Sequence, residues 1–324
     1  MNKLTIRLMA AALACASWIA VPTLHAQTYP DKSVKIVVPY PPGGGADILA
    51  RAIGQKLGTQ WGQTVVIDNK AGAGGSIGTD AVAKAPADGY TLLMASPSHA
   101  INNSLYKNLA FDAEKNFSGV VLAASGPLVL VVNASSPFKT VAEFIAAAKA
   151  KPDGINYASA GIGSSPHLAG ELFALMAGLK MTHVAYKGTA PALTDLMGNQ
   201  VQAFFGPVPT IIEHVKQGRL RALGVTTAEP FAALPGVPPI AQNIPGYSVL
   251  QWWGLVAPAG TPAAVIDKVN KDVSAILAEP EMKKQLDAMG AQPGGGSPAR
   301  FDALIRDEVV KYAEVIKRAD LRAE

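Results

Sequence analysis

The chain has 324 residues, 49% of them hydrophobic and 16% charged, a balance that gives material for a substantial core and excludes a disordered chain. Its 31 Gly and 24 Pro are dispersed without a period, which excludes collagen-like and low-complexity architectures, and a single Cys excludes a disulfide framework or a thiolate metal cluster. The length exceeds one ordinary domain of about 100–200 residues and suits two lobes or one large α/β unit.

Residues 1–26 read as a secretory signal: Lys3 and Arg7, an apolar run from Leu8 to Val21, then Pro22 and the small residue Ala26. That run of about 14 residues is short of the roughly 20 that span a bilayer, so cleavage after Ala26 is expected. The mature chain then keeps 26 basic residues, the original 28 less Lys3 and Arg7, against 24 acidic ones, and it loses Cys15. With so small a net charge and no basic run, nucleic acid is not an expected partner.

From Asp31 onward, short β-branched runs alternate with helix-like stretches, the pattern of a parallel-sheet α/β protein. Strands are expected at Val34–Val38, Thr64–Ile67, Thr91–Ala95, Leu128–Val132, Ile155–Ala158, Thr182–Ala185, Ala203–Phe205, Leu220–Val225 and Trp252–Val256. Helices are expected between them, at Ala46–Leu57, Ser76–Lys84, Val141–Ala150, His167–Met176, Ala190–Met197 and Ile211–Gln217. The C-terminal region reads as helical only, at Ala263–Leu277, Glu281–Met289 and Arg300–Ile316. In the last of these, Phe301, Leu304, Ile305, Val309, Tyr312, Val315 and Ile316 recur at helical spacing as a core stripe. Composition suggests crossings between lobes at Ser125-Gly126-Pro127 and between Ile244 and Gly254. The expected organisation is a signal over 1–26, a first lobe over 27–125, a second over 126–246, and a return to the first over 247–324, with a two-strand hinge beside a cleft.

The strongest local feature is Val38-Pro39-Tyr40-Pro41-Pro42-Gly43-Gly44-Gly45-Ala46-Asp47, a strand entering a Gly-rich turn and then a helix. Glycines let a ligand approach the backbone, and a helix start offers unpaired N–H groups and a positive dipole end, so a small anion is favoured there. Asp47 and Arg51, one turn apart, read either as part of the site or as a helix-start pair. A second arrangement of this kind is Tyr157-Ala158-Ser159-Ala160-Gly161-Ile162-Gly163-Ser164-Ser165-Pro166-His167, with Ser165 suited to an N-cap and Pro166 to the first helical position. Ser96-Pro97-Ser98-His99, Tyr186-Lys187-Gly188-Thr189 and Phe204-Phe205-Gly206-Pro207 each follow an expected strand, where open α/β sheets bind ligands. Lys187 reads as a cation of the site or as a solvated surface lysine.

Nucleotide-binding signatures are missing from the sequence. Gly72-Ala73-Gly74-Gly75-Ser76-Ile77-Gly78 lacks dinucleotide-fold spacing, and no phosphate loop occurs. His99, His167, His183 and His214 lack metal-ligand spacing, and no metal or cofactor is expected. A secreted serine hydrolase assembled in space, with Ser159 or Ser165 beside His167, stays as an alternative.

Taken in order, several segments resemble the Bug (TctC-like) family of extracytoplasmic solute receptors of tripartite tricarboxylate transporters. They are Tyr29-Pro30-Asp31-Lys32, Pro41-Pro42-Gly43-Gly44 with Asp47 and Arg51, Asn69-Lys70-Ala71-Gly72-Ala73-Gly74-Gly75, and Pro86-Ala87-Asp88-Gly89-Tyr90-Thr91-Leu92-Leu93. Further along come Tyr157-Ala158-Ser159 with Gly161 and His167-Leu168, Tyr186-Lys187-Gly188, and Trp253-Gly254-Leu255 with Ala257-Pro258-Ala259-Gly260-Thr261-Pro262. The resemblance implies a two-lobed periplasmic-binding-protein fold of flytrap, type II-like form with C-terminal helices. It also implies a periplasmic location, no catalysis, and large and small integral membrane subunits as partners. The ligand it implies is a small organic carboxylate: a di- or tricarboxylate, an acidic amino acid or an aromatic carboxylate, with Tyr40 and Phe205 able to flank a ring. Carried over by position, first-lobe contacts fall on Tyr40, Gly44, Gly45, Ala46 and Asp47, with Ser96 and His99 nearby. Second-lobe contacts fall on Ser159, Gly161, Ser164, Ser165, His167, Tyr186, Thr189 and Gly206. A sensor that presents its solute to a signalling partner would use the same pocket.

Overall fold

The computed structural model describes residues 29–288 and 290–323; the expected signal and its cleavage point lie outside the described residues. Tyr29–Asp31 belong to a separate unit, and the chain from Lys32 onward packs as one compact unit. In order, its elements are β1 (Val34–Val38), α1 (Gly45–Trp61), β2 (Val65–Asn69), α2 (Ser76–Ala83), β3 (Thr91–Ala95), α3 (Ser98–Leu105) and β4 (Phe117–Asn133). Next come α4 (Val141–Ala150), β5 (Asn156–Ser159), α5 (Ser165–Ala177), β6 (Thr182–Ala185), α6 (Thr189–Met197), β7 (Ala203–Pro207), α7 (Val208–Lys216) and β8 (Leu220–Val225). The chain closes with β9 (Leu250–Pro258), α8 (Ala263–Ala278), α9 (Pro280–Ala288), β10 (Gln292–Pro293) and α10 (Pro298–Arg318).

These strands form one mixed sheet in the order β2-β1-β3-β9-β4-β7-β5-β6, with β8 and β10 also on β4. β1 is parallel to β2 and β3, and β5 is parallel to β6 and β7. The expectation of a parallel sheet needs correction at its middle: β9 runs antiparallel to β3 and β4, and β4 antiparallel to β7 and β8. The expected strand Leu128–Val132 is only the end of the 17-residue β4. Its first part, which includes Gly119, Gly126 and Pro127, is held extended by pairing with β9 from Phe117↔Pro258 to Pro127↔Leu250, so tertiary hydrogen bonding overrides weak local propensity.

β4 also shows why its C-terminal run is apolar at every position. Leu128, Leu130 and Val132 pack under α4 and α5 with Phe144, Tyr157 and Phe173, while Val129 and Val131 face α6 and α7 with Leu193, Leu196 and Ile211. Both faces of the strand are covered, so alternation disappears. On the β1–β3 side, Val37, Leu93, Ala95, Trp252 and Val256 pack with Phe301, Ile305 and Val309 of α10, one face of the expected stripe. Its other residues, Tyr312, Val315 and Ile316, meet Ile101 and Leu105 of α3 and Leu168 of α5. Two elements were absent from the sequence reading, α3 and the two-residue β10. No helix among the described residues is long and apolar enough to cross a membrane.

Candidate functional site

Four helices begin at the same place. α1 follows β1, α5 follows β5, α6 follows β6 and α7 follows β7, and residues from all four starts line one cavity of about 320 Å³: Gly44–Ala46, Ser164–Pro166, Gly188–Ala190 and Val208's neighbours Pro207 and Pro209. The first N–H groups of a helix have no partner within it, although Pro166, Pro191, Pro207 and Pro209 carry none, and each start carries the positive end of the helix dipole. Ser96, Gln251 and Trp253 complete the wall from β3 and β9. Among the described residues no acidic side chain lines the cavity, and Lys187 is the single charged one. Such a wall favours an anion held by neutral donors.

The first loop is rigid for reasons that begin at Asp47. Its side chain is 4% exposed and turns away from the cavity: one carboxylate oxygen accepts from the Gly43 N–H at 3.0 Å and from Arg51 Nε at 3.0 Å, the other from Asn69 Nδ2 at 3.0 Å. Asn69 also donates to the Tyr40 carbonyl at 3.0 Å. Burial alone would raise the Asp47 pKa, but the bonds from Arg51, Gly43 and Asn69 together hold it below the ordinary carboxylate value. Gly43 takes φ +86°, where a side chain would be strained. An ideal Cβ on Gly44 would meet only the Pro41 carbonyl at 4.0 Å, whereas one on Gly45 would lie 2.7 Å from Trp253 Cζ2. Gly44 therefore opens toward the cavity, and Gly45 lets α1 pack on the indole. Beside the loop, the Tyr40 hydroxyl bonds Ser98 and lies 3.2 Å from Ser96 Oγ, and the two serines are 3.1 Å apart. Burial raises the Tyr40 pKa, so the phenol stays neutral and keeps its proton to donate.

The second loop is braced from behind. Ser159 Oγ lies 2.6 Å from His183 Nε2 and accepts from the Gly161 N–H at 3.0 Å, and Ser164 donates to the Gly161 carbonyl at 2.7 Å. His183 stacks on His167 with ring centroids 4.0 Å apart and on Tyr157 at 5.0 Å. His167 Nδ1 accepts from the Gly163 N–H at 3.3 Å. Burial pushes His167 down to about 3, with help from His183, and His183 down to about 4, so both rings are neutral. The N-cap falls one residue earlier than expected, on Ser164 rather than Ser165, and the helix starts at Ser165 rather than His167, with Pro166 inside the first turn. The hydroxyl of Ser165 is then free of capping and donates to Gln251 Oε1, whose amide nitrogen donates to the Trp252 carbonyl at 3.1 Å.

Of the expected contacts, Tyr40, Gly44, Gly45, Ala46, Ser96, Ser164, Ser165 and Thr189 stand in the cavity wall. Asp47, Ser159, Gly161 and His167 lie in or behind the two loops, outside the lining. The other three are also outside the lining. His99 is 2% exposed, packs against Phe117 at 4.7 Å, and burial brings it down to about 4. The Tyr186 hydroxyl donates to Asp195 at 2.6 Å, and a Cβ on Gly206 would lie 2.5 Å from Ile211, a packing glycine. Phe205, expected to flank a ring, is fully buried in the core, and Trp253 supplies the aromatic wall instead. Gln251 and Trp253 were not singled out as contacts in the sequence reading. The hydrolase alternative finds no support at Ser165, whose hydroxyl meets Gln251 rather than a histidine. Ser159 does meet His183 but is fully buried and does not line the cavity. No group of three or more His, Cys, Asp or Glu side chains that could hold a metal occurs among the described residues.

With this geometry in hand, comparison with known proteins is specific. Residues 49–321 match the family described as "Tripartite tricarboxylate transporter family receptor" (TctC). Among solved structures, the Rpa4515 protein of R. palustris with adipate superposes with a TM-score of 0.87 at 37% identity, over 91% of this chain and 99% of that one. The periplasmic binding protein BugD gives 0.84 at 32% identity over 91% and 100% of the two chains. MatC (Rpa3494) from Rhodopseudomonas palustris with bound malate gives 0.84 at 30% identity, over 89% and 100%. The fold is accordingly the two-lobed α/β fold of periplasmic binding proteins.

Proposed function

The chain belongs to the tripartite tricarboxylate transporter receptor family, the TctC or Bug group, and from that premise we propose that it is a periplasmic receptor that captures a small organic carboxylate and delivers it to the large and small membrane subunits of such a transporter. The observation that carries the reading is the meeting of four helix N-termini at one cavity whose wall, among the described residues, holds no acidic side chain. A carboxylate placed there accepts from orphan N–H groups and hydroxyls without a buried counter-charge, and charge-assisted bonds of this kind are roughly twice as strong as neutral ones. That relatives of 37% and 30% identity carry adipate and malate supports the same class of ligand.

Tyr40, Gly44, Gly45, Ala46, Ser96, Ser164, Ser165 and Thr189 are the proposed contacts, with Gln251 and Trp253 added from β9. Asp47, Ser159, Gly161 and His167 shape the loops that present them. The lobes we propose are residues 27–125 with 247–324, and residues 126–246; support comes from β1–β3 and β5–β8 lying to either side of β4 and β9. Closure is then a shift of population toward the state in which both lobes touch the solute. The chain needs no chemistry of its own, since capture and release are the whole task.

The test is thermal unfolding of the mature protein against aliphatic dicarboxylates, citrate, acidic amino acids and aromatic carboxylates. A ligand that binds only the folded state raises the melting temperature by mass action. A saturable rise with one class supports the reading and names the solute; no rise with any member at millimolar concentration would sink it.

A further inference from the structure

The two ends of a solute meet different chemistry in this cavity. Around Gly44–Ala46 and Ser164–Ser165 every donor is neutral: backbone N–H groups, the Tyr40 and Ser96 hydroxyls, and Ser165 tied to Gln251. Much of the remaining wall is apolar, with Leu193, Trp253 and several prolines, which suits a carbon skeleton. The single formal charge is Lys187, an exposed residue just before Gly188. Lys187 forms no ion pair with any described acidic residue, so its charge is not already committed to a partner on the protein. Gly188 takes φ +114° as the N-cap of α6, so the lysine sits where the chain turns into a helix start whose first residues, Thr189 and Ala190, are also in the wall. The cation and the positive end of α6 thus act on the same part of the cavity.

We propose that Lys187 is a specificity residue that selects solutes with a second anionic group over monocarboxylates of the same skeleton. This deepens the receptor reading and rests on it. A first carboxylate is satisfied by neutral donors and gains little from a lysine. A second carboxylate would otherwise leave water for an apolar wall, and beside Lys187 it gains a charge partner as the cleft excludes solvent. Because the ammonium is a point charge on a flexible stem, it accommodates skeletons of different length. Its exposure makes the preference sensitive to salt.

The experiment is calorimetric titration of the mature protein and of the Lys187→Met and Lys187→Arg variants with two matched pairs, adipate with hexanoate and terephthalate with benzoate, at low and high salt. The expected result is a dicarboxylate preference in the parent protein that falls about tenfold in Lys187→Met, recovers in Lys187→Arg, and shrinks at high salt. A Lys187→Met variant with the parental ratio overturns the proposal, as does an equal loss for both members of a pair, which marks a structural role. Parent protein that binds the monocarboxylates but prefers no dicarboxylate overturns this proposal and leaves the receptor reading standing. Parent protein that binds none of the four overturns the dicarboxylate assignment outright, and the melting panel then decides the receptor reading separately.

Discussion

Gly44 and Gly45 are neighbours with opposite expected responses to an added side chain. Gly44 has φ −80° and ψ 165°, an extended conformation that a β-branched residue adopts readily, and its Cβ would meet nothing closer than 4.0 Å. Gly44→Val should therefore fold normally while its methyl groups enter the cavity and cover the Gly45 and Ala46 N–H groups. A hydrogen bond to a charged partner contributes about 1.5–3 kcal/mol. Losing two costs about 3–6 kcal/mol, a weakening of roughly 150-fold to 20,000-fold. Gly45→Ala places its methyl 2.7 Å from Trp253 Cζ2, and overpacking of this kind costs about 1–3 kcal/mol of stability. Circular dichroism melts and calorimetric titration of both variants separate the two effects. A Gly44→Val protein with parental melting and parental affinity would refute the assignment of the α1 start to the anion.

Further outcomes follow from the same geometry. Asp47→Asn should lower the melting temperature by several degrees at pH 7 and loosen the first loop. Because the folded pKa of Asp47 is depressed, its contribution is fully present above the unfolded value near 3.9 and is lost as pH falls through the folded value. The gap between parent and variant should therefore narrow below pH 4 in melts taken across pH; a constant gap argues that the charge is not what matters. His99, His167 and His183, brought down by burial to about 4, 3 and 4, are neutral when folded and take up protons on unfolding below about pH 6.5, so urea midpoints should fall steadily from pH 6.5 toward pH 4. His99→Phe, set among Phe111 and Phe117, should flatten that slope by about one proton; a slope equal to the parent's contradicts the burial of a neutral ring. Gly74 lies outside the cavity wall at φ +60°, and a Cβ there would come within 2.2 Å of the Ile162 carbonyl in the opposite loop. Gly74→Ala should weaken solute binding by about tenfold or more and enlarge the liganded particle in small-angle scattering, while unchanged affinity would show that these loops need not meet.

The parts legible in sequence are those where local chemistry and tertiary structure agree. Val34–Val38, Thr91–Ala95, Thr182–Ala185 and Leu220–Val225 have the expected bounds because each is a short run of strand formers between turn residues. The two Gly- and Ser-rich loops are legible because a backbone that must turn sharply and stay uncovered shows itself as Gly, Ser and Pro. α3 was hidden: Ser-His-Ala-Ile-Asn-Asn-Ser-Leu is poor in helix formers and follows Pro97. It is held by tertiary contacts, including Asn102 Nδ2 donating to the Gly74 carbonyl at 3.1 Å and His99 lying 3.1 Å from the Ala113 carbonyl. The inward or outward turn of Asp47 depended on Asn69, a partner 22 positions away, which no local pattern encodes. Gln251 and Trp253 reach the cavity only because β9 inserts between β3 and β4, a pairing across the length of the chain.

That insertion also sets an order of assembly. The end of β4 and strands β5 to β8 come from one stretch of chain and find partners within about a hundred residues. β3 cannot: its inner edge is completed by β9, with Leu93 opposite Val256. A chain made from its N-terminus therefore exposes the bare edge of β3 until β9 has emerged, an invitation to wrong strand pairing. The early strands wait for the late one, because the inner edge of β3 closes only when β9 is there to pair with it.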